Sequence, residues 1–143
     1  MSTGTRPSAI ETDNDAVLAA NLDFYRAFGS RDLAAMEAIW AKHVPVMCLH
    51  PGWAAIEGRD AVMASWRLIF SGEAEDFRVL CHDERAAIHG DVAIVLCEEE
   101  LTGGSLAVTN TFIREGGAWR LIHHQGGAII PQYHARKPGA ALH

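Results

Sequence analysis

The sequence predicts an α+β domain. Apolar residues recur at helical spacing through the first half, and the period changes to two from Phe77 onward. The second-half runs are separated by short glycine turns, Gly90-Asp91, Gly103-Gly104 and Gly116-Gly117. Tight turns join only antiparallel neighbours, so helices followed by a meander is the expected order.

Residues 1–13 are polar, without an apolar period, and read as a flexible arm. Asp13 or Asn14 is placed to cap the first helix, because a short polar side chain accepts from its free N–H groups. Val17, Ala20, Phe24, Ala27 and Phe28 line one face of that helix, and Gly29 ends it. Ser30 is placed to cap a second helix, with Leu33, Met36 and Trp40 as its buried stripe. Residues 44–49 read as a short strand, and His50-Pro51-Gly52-Trp53 as a turn. Gly58-Arg59-Asp60 opens a third helix, buried through Val62, Trp66, Ile69 and Phe70 and stopped by Ser71-Gly72. Strands are expected over 77–81, 86–89, 92–101, 106–114 and 119–130. Residues 14–130 then form one domain, and 131–143 read as a flexible tail.

Composition narrows the class. The 143 residues suffice for one core and not for two ordinary domains. Hydrophobic residues are 49% and charged residues 21%, a globular balance. A net charge of −6 argues against nucleic acid and anionic membranes, which require clustered Lys and Arg. No apolar run reaches membrane-spanning length, and the N-terminus lacks the apolar core of a secretory signal, so a cytoplasmic location is expected. Cys48, Cys81 and Cys97 are odd in number and lack C-x-x-C spacing, which fits buried thiols in a reducing compartment.

The run 92–96 is apolar on both faces: Val92, Ile94 and Leu96 point one way, Ala93, Val95 and Cys97 the other. A sheet with helices on one side only carries polar residues on its outer face. A second copy of the chain, packed through the sheet, is the economical cover. The sparse apolar content of the tail makes it a poor substitute.

Register supplies a candidate site. With Gly116-Gly117 as the whole turn, Phe112 sits opposite Leu121, Asn110 opposite His123 and Val108 opposite Gln125, all on one face. Counting on through the other turns sets Cys97 opposite Asn110, Glu99 opposite Val108, Glu84 beside Cys97 and His82 beside Glu99. An amide and imidazoles among apolar neighbours make either a small-molecule pocket wall or a half-buried sheet with satisfied polar groups. A bulge would shift the count by one residue and reverse the face.

The helix pair ending in Trp40, the Gly58-Arg59-Asp60-Ala61-Val62 helix entry and the final strand from Trp119 through Arg120, Leu121 and Ile122 to His123-His124 together resemble the nuclear transport factor 2-like superfamily. Within it they are most similar to the SnoaL-like group, over about 15–130. The resemblance implies a cone, in which a curved, mainly antiparallel sheet wraps three helices around an internal pocket, often as a homodimer through the outer sheet face. It spans ketosteroid isomerases, polyketide cyclases, dehydratases, epoxide hydrolases and non-catalytic members. The last strand also resembles the calmodulin-dependent kinase association domain. Function therefore rests on the site and not on the fold. The isomerase pattern needs an Asp base and Tyr and Asp oxyanion donors. Here the corresponding positions fall on His50, on Phe24 with Tyr25 beside it, and on Asn110, so steroid isomerisation is not expected. The epoxide hydrolase set of one Arg and two Asp is not recognisable.

His50 is the candidate proton carrier, since imidazole titrates near neutrality; the alternative is a histidine that fixes the Pro51-Gly52 turn. Asn110 and His123 are the candidate groups for orienting a carbonyl, or else they bond to each other across the strands. Phe24, Tyr25, Trp53, Trp66, His82, Glu99, Phe112 and Gln125 are the expected ligand contacts. His82, Glu99 and His123 have ligand types that suit a metal, but their spacing matches no local motif, and no metal or cofactor is expected. Two functions remain open: cofactor-free acid–base catalysis of isomerase, cyclase, dehydratase or hydrolase type on an apolar or cyclic molecule, and a non-catalytic ligand-binding or assembly domain.

Overall fold

The computed structural model describes residues 9–72 and 77–134. The order is α1 (Ala9–Ser30), α2 (Leu33–Ile39), β1 (Met47–Leu49), β2 (Ile56–Glu57), α3 (Arg59–Phe70), β3 (Leu80–His89), β4 (Val92–Leu101), β5 (Gly104–Glu115) and β6 (Ala118–Ala128), then a 3₁₀ turn over Pro131–Tyr133. Six strands form one curled, unclosed sheet in the order β2-β1-β6-β5-β4-β3, and the three helices fill its concave side. All neighbours are antiparallel except β1 and β6, which run parallel. The α+β expectation holds.

Helix α1 begins at Ala9, so residues 9–13 of the expected arm are helical and Asp13 and Asn14 do not cap it. They tie the helix to the sheet instead. Asp13 pairs with Arg114 at 2.5 Å, and the Asn14 amide donates to the Ala86 carbonyl. A cap needs extended backbone, and Ser30 is still helical, its hydroxyl donating to the Arg26 carbonyl. Asp32 caps α2, with φ −92° and a carboxylate that accepts from the Ala35 N–H at 3.0 Å. Arg59, at the start of α3, donates to the carbonyls of Glu37, Trp40 and Ala41 and so fastens the end of α2. Val17, Phe24, Met36, Trp40, Val62, Trp66, Val95, Phe112 and Leu121 have no exposed surface and form the centre of the core.

Strand pairing follows the turn arithmetic near the β3–β4 and β5–β6 turns, departs from it further along those pairs, and differs by two residues throughout β4–β5. His89 pairs with Val92, and Glu115 with Ala118 through Phe112 with Leu121, as counted. Gly116 and Gly117 both hold positive φ, 60° and 82°, which their turn requires. The β4–β5 turn is Thr102-Gly103, because Leu101 pairs with Gly104. Moving a turn by one residue moves every partner by two, so Cys97 faces Val108 and Glu99 faces Leu106 with the inner face unchanged.

Two bulges do change the face. Beyond Phe112–Leu121, Thr111 pairs with His123 and Asn110 with His124, which leaves Ile122 as one extra residue on β6. In β3, Cys81 pairs with Glu99 and His82 with Glu98, but Arg85 pairs with Leu96; Asp83 sits there at φ 58°. The bulge fuses the two expected strands at 77–81 and 86–89 into one.

The two-sided character of β4 is real: Ala93 and Val95 are fully buried, whereas Ile94 and Leu96 are 36% and 42% exposed on the convex face. Tyr133, just past the sheet, is 66% exposed.

Candidate functional site

Chemistry concentrates where the inner faces of β4, β5 and β6 meet α1, α3 and the turn after β1. Asn110 stands at the centre. Its Oδ1 accepts from His124 Nδ1 at 2.6 Å, and its Nδ2 donates to Asn21 Oδ1 at 2.9 Å and to the Tyr25 hydroxyl at 3.2 Å. Tyr25 in turn donates to Glu99 Oε2 at 2.6 Å. Each bond fixes the next group: His124 carries its proton on Nδ1, and its Nε2 lone pair lies 3.9 Å from the Glu99 carboxyl.

His50 enters from the end of β1. Its Nε2 lies 2.8 Å from Ser65 Oγ, and the Ser65 hydroxyl donates to the Val62 carbonyl. Ser65 therefore accepts from His50, which puts the proton on Nε2 and the lone pair on Nδ1. The ring stands edge-on to Trp66 and Trp53, with centroids 4.7 and 5.0 Å away.

A hollow of about 240 Å³ opens here, with His50, Glu99 and His124 among Phe28, Trp53 and Leu106 on its walls. A larger hollow of about 510 Å³ lies between α1 and β3, walled by Leu18, Leu22, Tyr25 and Cys81. The smaller one holds the concentrated chemistry. Tyr25 and Glu99 stand between the two.

Burial sets the charges. Desolvation lifts the Glu99 carboxyl to about 7 against the downward pull of the Tyr25 hydrogen bond. Desolvation lowers His50 to about 4 and His124 to about 3, with His50 and His123 adding to the shift at His124. Burial, then Glu99, pushes the Tyr25 phenol far up, so it stays a donor. At neutral pH the site holds two neutral imidazoles and a carboxyl close to half-ionised.

These shifts predict a pH profile. A buried histidine with a lowered value contributes stability that is present above its unfolded value, near 6.5, and lost as pH falls towards 4. Glu99 acts oppositely: its contribution is present below 4.5 and lost as pH rises to about 7. Two groups oppose one, so from these three groups stability rises between pH 4.5 and 6.5 by about 1.4 kcal/mol per pH unit. Denaturant midpoints at pH 4.5, 5.5 and 6.5 measure the slope, and His50→Gln should flatten it.

The structure redistributes the expected site residues. His50, Trp53 and Glu99 reach the hollow. Tyr25 reaches Glu99 through its hydroxyl, although it follows the fully buried Phe24. Phe24 and Trp66 pack edge-on behind the site, and Phe112 is core. Asn110 is buried, and its amide is fully engaged with protein partners, so it positions other groups. Three residues are corrected. His123 is turned away by the Ile122 bulge, and its Nδ1 meets the Met47 carbonyl at 3.1 Å. Gln125 is exposed for the same reason. His82 is turned outward by the Asp83 bulge. The metal combination of His82, Glu99 and His123 is therefore split between faces. His124, Ser65 and Asn21 were missed. His124 could have been found only by allowing one slipped residue, and nothing local marks Ser65 or Asn21.

A curled sheet around three helices, with a polar-centred hollow, defines a pocket domain. Residues 17–131 match the SnoaL-like domain family, and the chain belongs to that family. It is 31% identical over 118 residues to the F-box protein SKIP8 of Arabidopsis thaliana, covering 80% of this chain and 50% of that protein; the chain thus spans about half the length of this relative. Among solved structures it is similar to an NTF2-like protein of Streptomyces avermitilis proposed to be a dehydratase, with TM-score 0.78 and 29% identity over 85% of this chain and 99% of that one. It is also similar to a protein of Thiobacillus denitrificans, proposed to be a calcium/calmodulin-dependent protein kinase type II association domain. There the TM-score is 0.71 and the identity 34%, over 79% and 94% of the two chains. Among the described residues, no helix is long and apolar enough to cross a membrane.

Proposed function

We propose that the chain catalyses loss of water from a hydroxylated, mostly apolar small molecule held in the smaller hollow, with Glu99 moving the proton. The single observation that carries this is the Glu99 carboxyl, 2% exposed and lifted to about 7, on an apolar wall beside two neutral imidazoles. A group that titrates near ambient pH serves as both acid and base. His50 was the sequence candidate for this role, but its value of about 4 makes it a weak base, and its N–H is held by Ser65. The lone pairs on His50 Nδ1 and His124 Nε2 are acceptors, and acceptors select hydroxyl groups. Glu99 takes a proton from carbon, the C–O bond on the neighbouring carbon breaks, and the same carboxyl returns the proton to the departing hydroxyl as water. The similarity to a proposed dehydratase supports this reaction class.

The test starts with thermal shift across a panel of hydroxylated and non-hydroxylated cyclic compounds. Hits are then followed by mass spectrometry for loss of one water. Hydroxylated compounds should shift the parent chain and be converted, and Glu99→Gln should bind them with turnover reduced by about 10²-fold or more. Tight binding without conversion in the parent chain would establish the non-catalytic pocket instead.

We further propose that residues 14–130 act as one domain that pairs through the convex face of β4. The exposed Ile94 and Leu96 support that, as does the likeness to a proposed association domain. Leu96→Glu should convert a dimer to a monomer in light scattering; a parent chain that is already monomeric at high concentration would remove the idea. Three unpaired cysteines, Cys48, Cys81 and Cys97, support a reducing, cytoplasmic setting.

A further inference from the structure

We propose that Cys81 and Cys97 form a peroxide-responsive pair beside the larger hollow, closing to a reversible disulfide that joins β3 to β4. The pair lies outside Glu99, His50 and His124, so it goes beyond the dehydration reading and does not rest on it.

Register and the β3 bulge bring the two thiols together. Cys81 pairs with Glu99, and Cys97 lies two residues before Glu99 on β4, so both side chains take the inner face. His82 pairs with Glu98 and Arg85 with Leu96, which leaves Asp83 and Glu84 to share the place opposite Cys97. No β3 residue pairs with Cys97 itself, and its thiol is hydrogen-bonded to that of Cys81 instead. Cys48 lies on β1, with β6 and β5 between it and β4, and contacts His50.

The surroundings suit thiolate chemistry. Asn21 Nδ2 points at Cys81 Sγ from 3.9 Å and Asn110 Nδ2 at Cys97 Sγ from 4.0 Å, and N–H donors favour the ionised form of a sulfur. The Tyr25 hydroxyl stands 3.4 Å from the same Cys97 sulfur. The Cys81 hydrogen bond holds Cys97 below the ordinary thiol range against its burial, while the same bond, then burial, pushes Cys81 up. Cys97 is therefore the nucleophile and Cys81 the resolving thiol. Access comes from the hollow of about 510 Å³, which Cys81 and Glu84 border and which is far larger than a peroxide molecule. The Cys97 thiolate attacks one peroxide oxygen. The O–O bond breaks, and the departing hydroxide leaves as water with the proton that Cys97 gave up. Cys97 is now a sulfenic acid. Glu84, hydrogen-bonded to Cys81, accepts the Cys81 proton, and the freed sulfur attacks that of Cys97. The S–O bond breaks as the S–S bond forms, and the departing hydroxide takes the proton from Glu84 as a second water. The two sulfurs are oxidised and the peroxide is reduced.

The experiment uses the full chain, reduced, freed of reductant, exposed to hydrogen peroxide and then alkylated in denaturant. The parent chain should lose about 2 Da as two thiols become a disulfide, and recover it with dithiothreitol. A non-reducing peptide map should join Cys81 to Cys97 and leave Cys48 alkylated. Cys81→Ser should stop at the Cys97 sulfenic acid, trapped as a dimedone adduct. Cys97→Ser should slow oxidation at Cys81 by about tenfold or more. Cys48→Ser should behave as the parent chain does. Circular dichroism before and after peroxide checks that the fold is kept, and the parent chain's peptide map decides the matter if a variant does not fold. Absence of the mass loss in the folded parent chain, a bond to Cys48, or a bond between two chains would overturn the pair. Loss of dehydration would not bear on it, so the two proposals fail separately.

Discussion

A Glu99→Gln variant is expected to melt about 5–10 °C above the parent chain at pH 8, while losing turnover. A carboxyl that ionises near 4.5 when unfolded and near 7 when buried makes the folded state less stable at alkaline pH. The size is on the order of 2–3 kcal/mol, and an amide of the same shape removes it while keeping an oxygen for the Tyr25 hydroxyl. The gain should shrink to a few tenths of a kcal/mol at pH 4.5, where Glu99 is neutral in the folded state and about half-ionised when unfolded. Calorimetry at the two pH values reads this directly. Equal melting of both chains at pH 8 would show that Glu99 is not held in an ionisation-averse site, and its part in the chemistry would go with it. A gain in stability paired with loss of activity is the usual mark of a strained functional group.

The second large effect belongs to Asn110. Replacing it with Ala strands the His124 Nδ1 proton and the Asn21 carbonyl oxygen, and it removes a donor from Tyr25, all inside the core. Each buried polar group left without a partner costs about 1–3 kcal/mol, so a loss of about 3–4 kcal/mol is expected, or about 8–15 °C in Tm. His123→Ala, one residue from the inward imidazole, should cost less than about 1 kcal/mol, because its one bond lies at the surface. Urea denaturation of the pair tests the β6 bulge itself. Comparable losses in both variants would mean that the slipped register is wrong.

Much of the architecture was legible from residue order. The 3.6 period through Val17, Phe24 and Phe28, the glycine pairs and the two-sided run at 92–96 are local signals, and local signals survive without knowledge of the neighbours. Near the β3–β4 and β5–β6 turns the pairing was legible too, because a two-residue turn with positive φ dictates which residues face each other. Glu99 and Asn110 were therefore assigned to the correct face, even though the β4–β5 count was off by two.

Helix caps and bulges were decided by the fold. Whether Ser30 or Asp32 caps α2 depends on where α1 lets go, and Asp13 is drawn to Arg114 by a strand a hundred residues away. Single extra residues at Ile122 and Asp83 leave no mark in composition or period, since a bulge answers to how neighbouring strands curl around the helices. Yet each reverses which side chains face inward, exchanging His123 for His124 and sending His82 to the surface. The sequence by itself determined the helices, the meander and the polar residue types of the hollow, because these follow from spacing along one chain. Which imidazole meets the amide, and how far the carboxyl is lifted, was decided only by tertiary packing, because register slips and desolvation are properties of the assembled sheet.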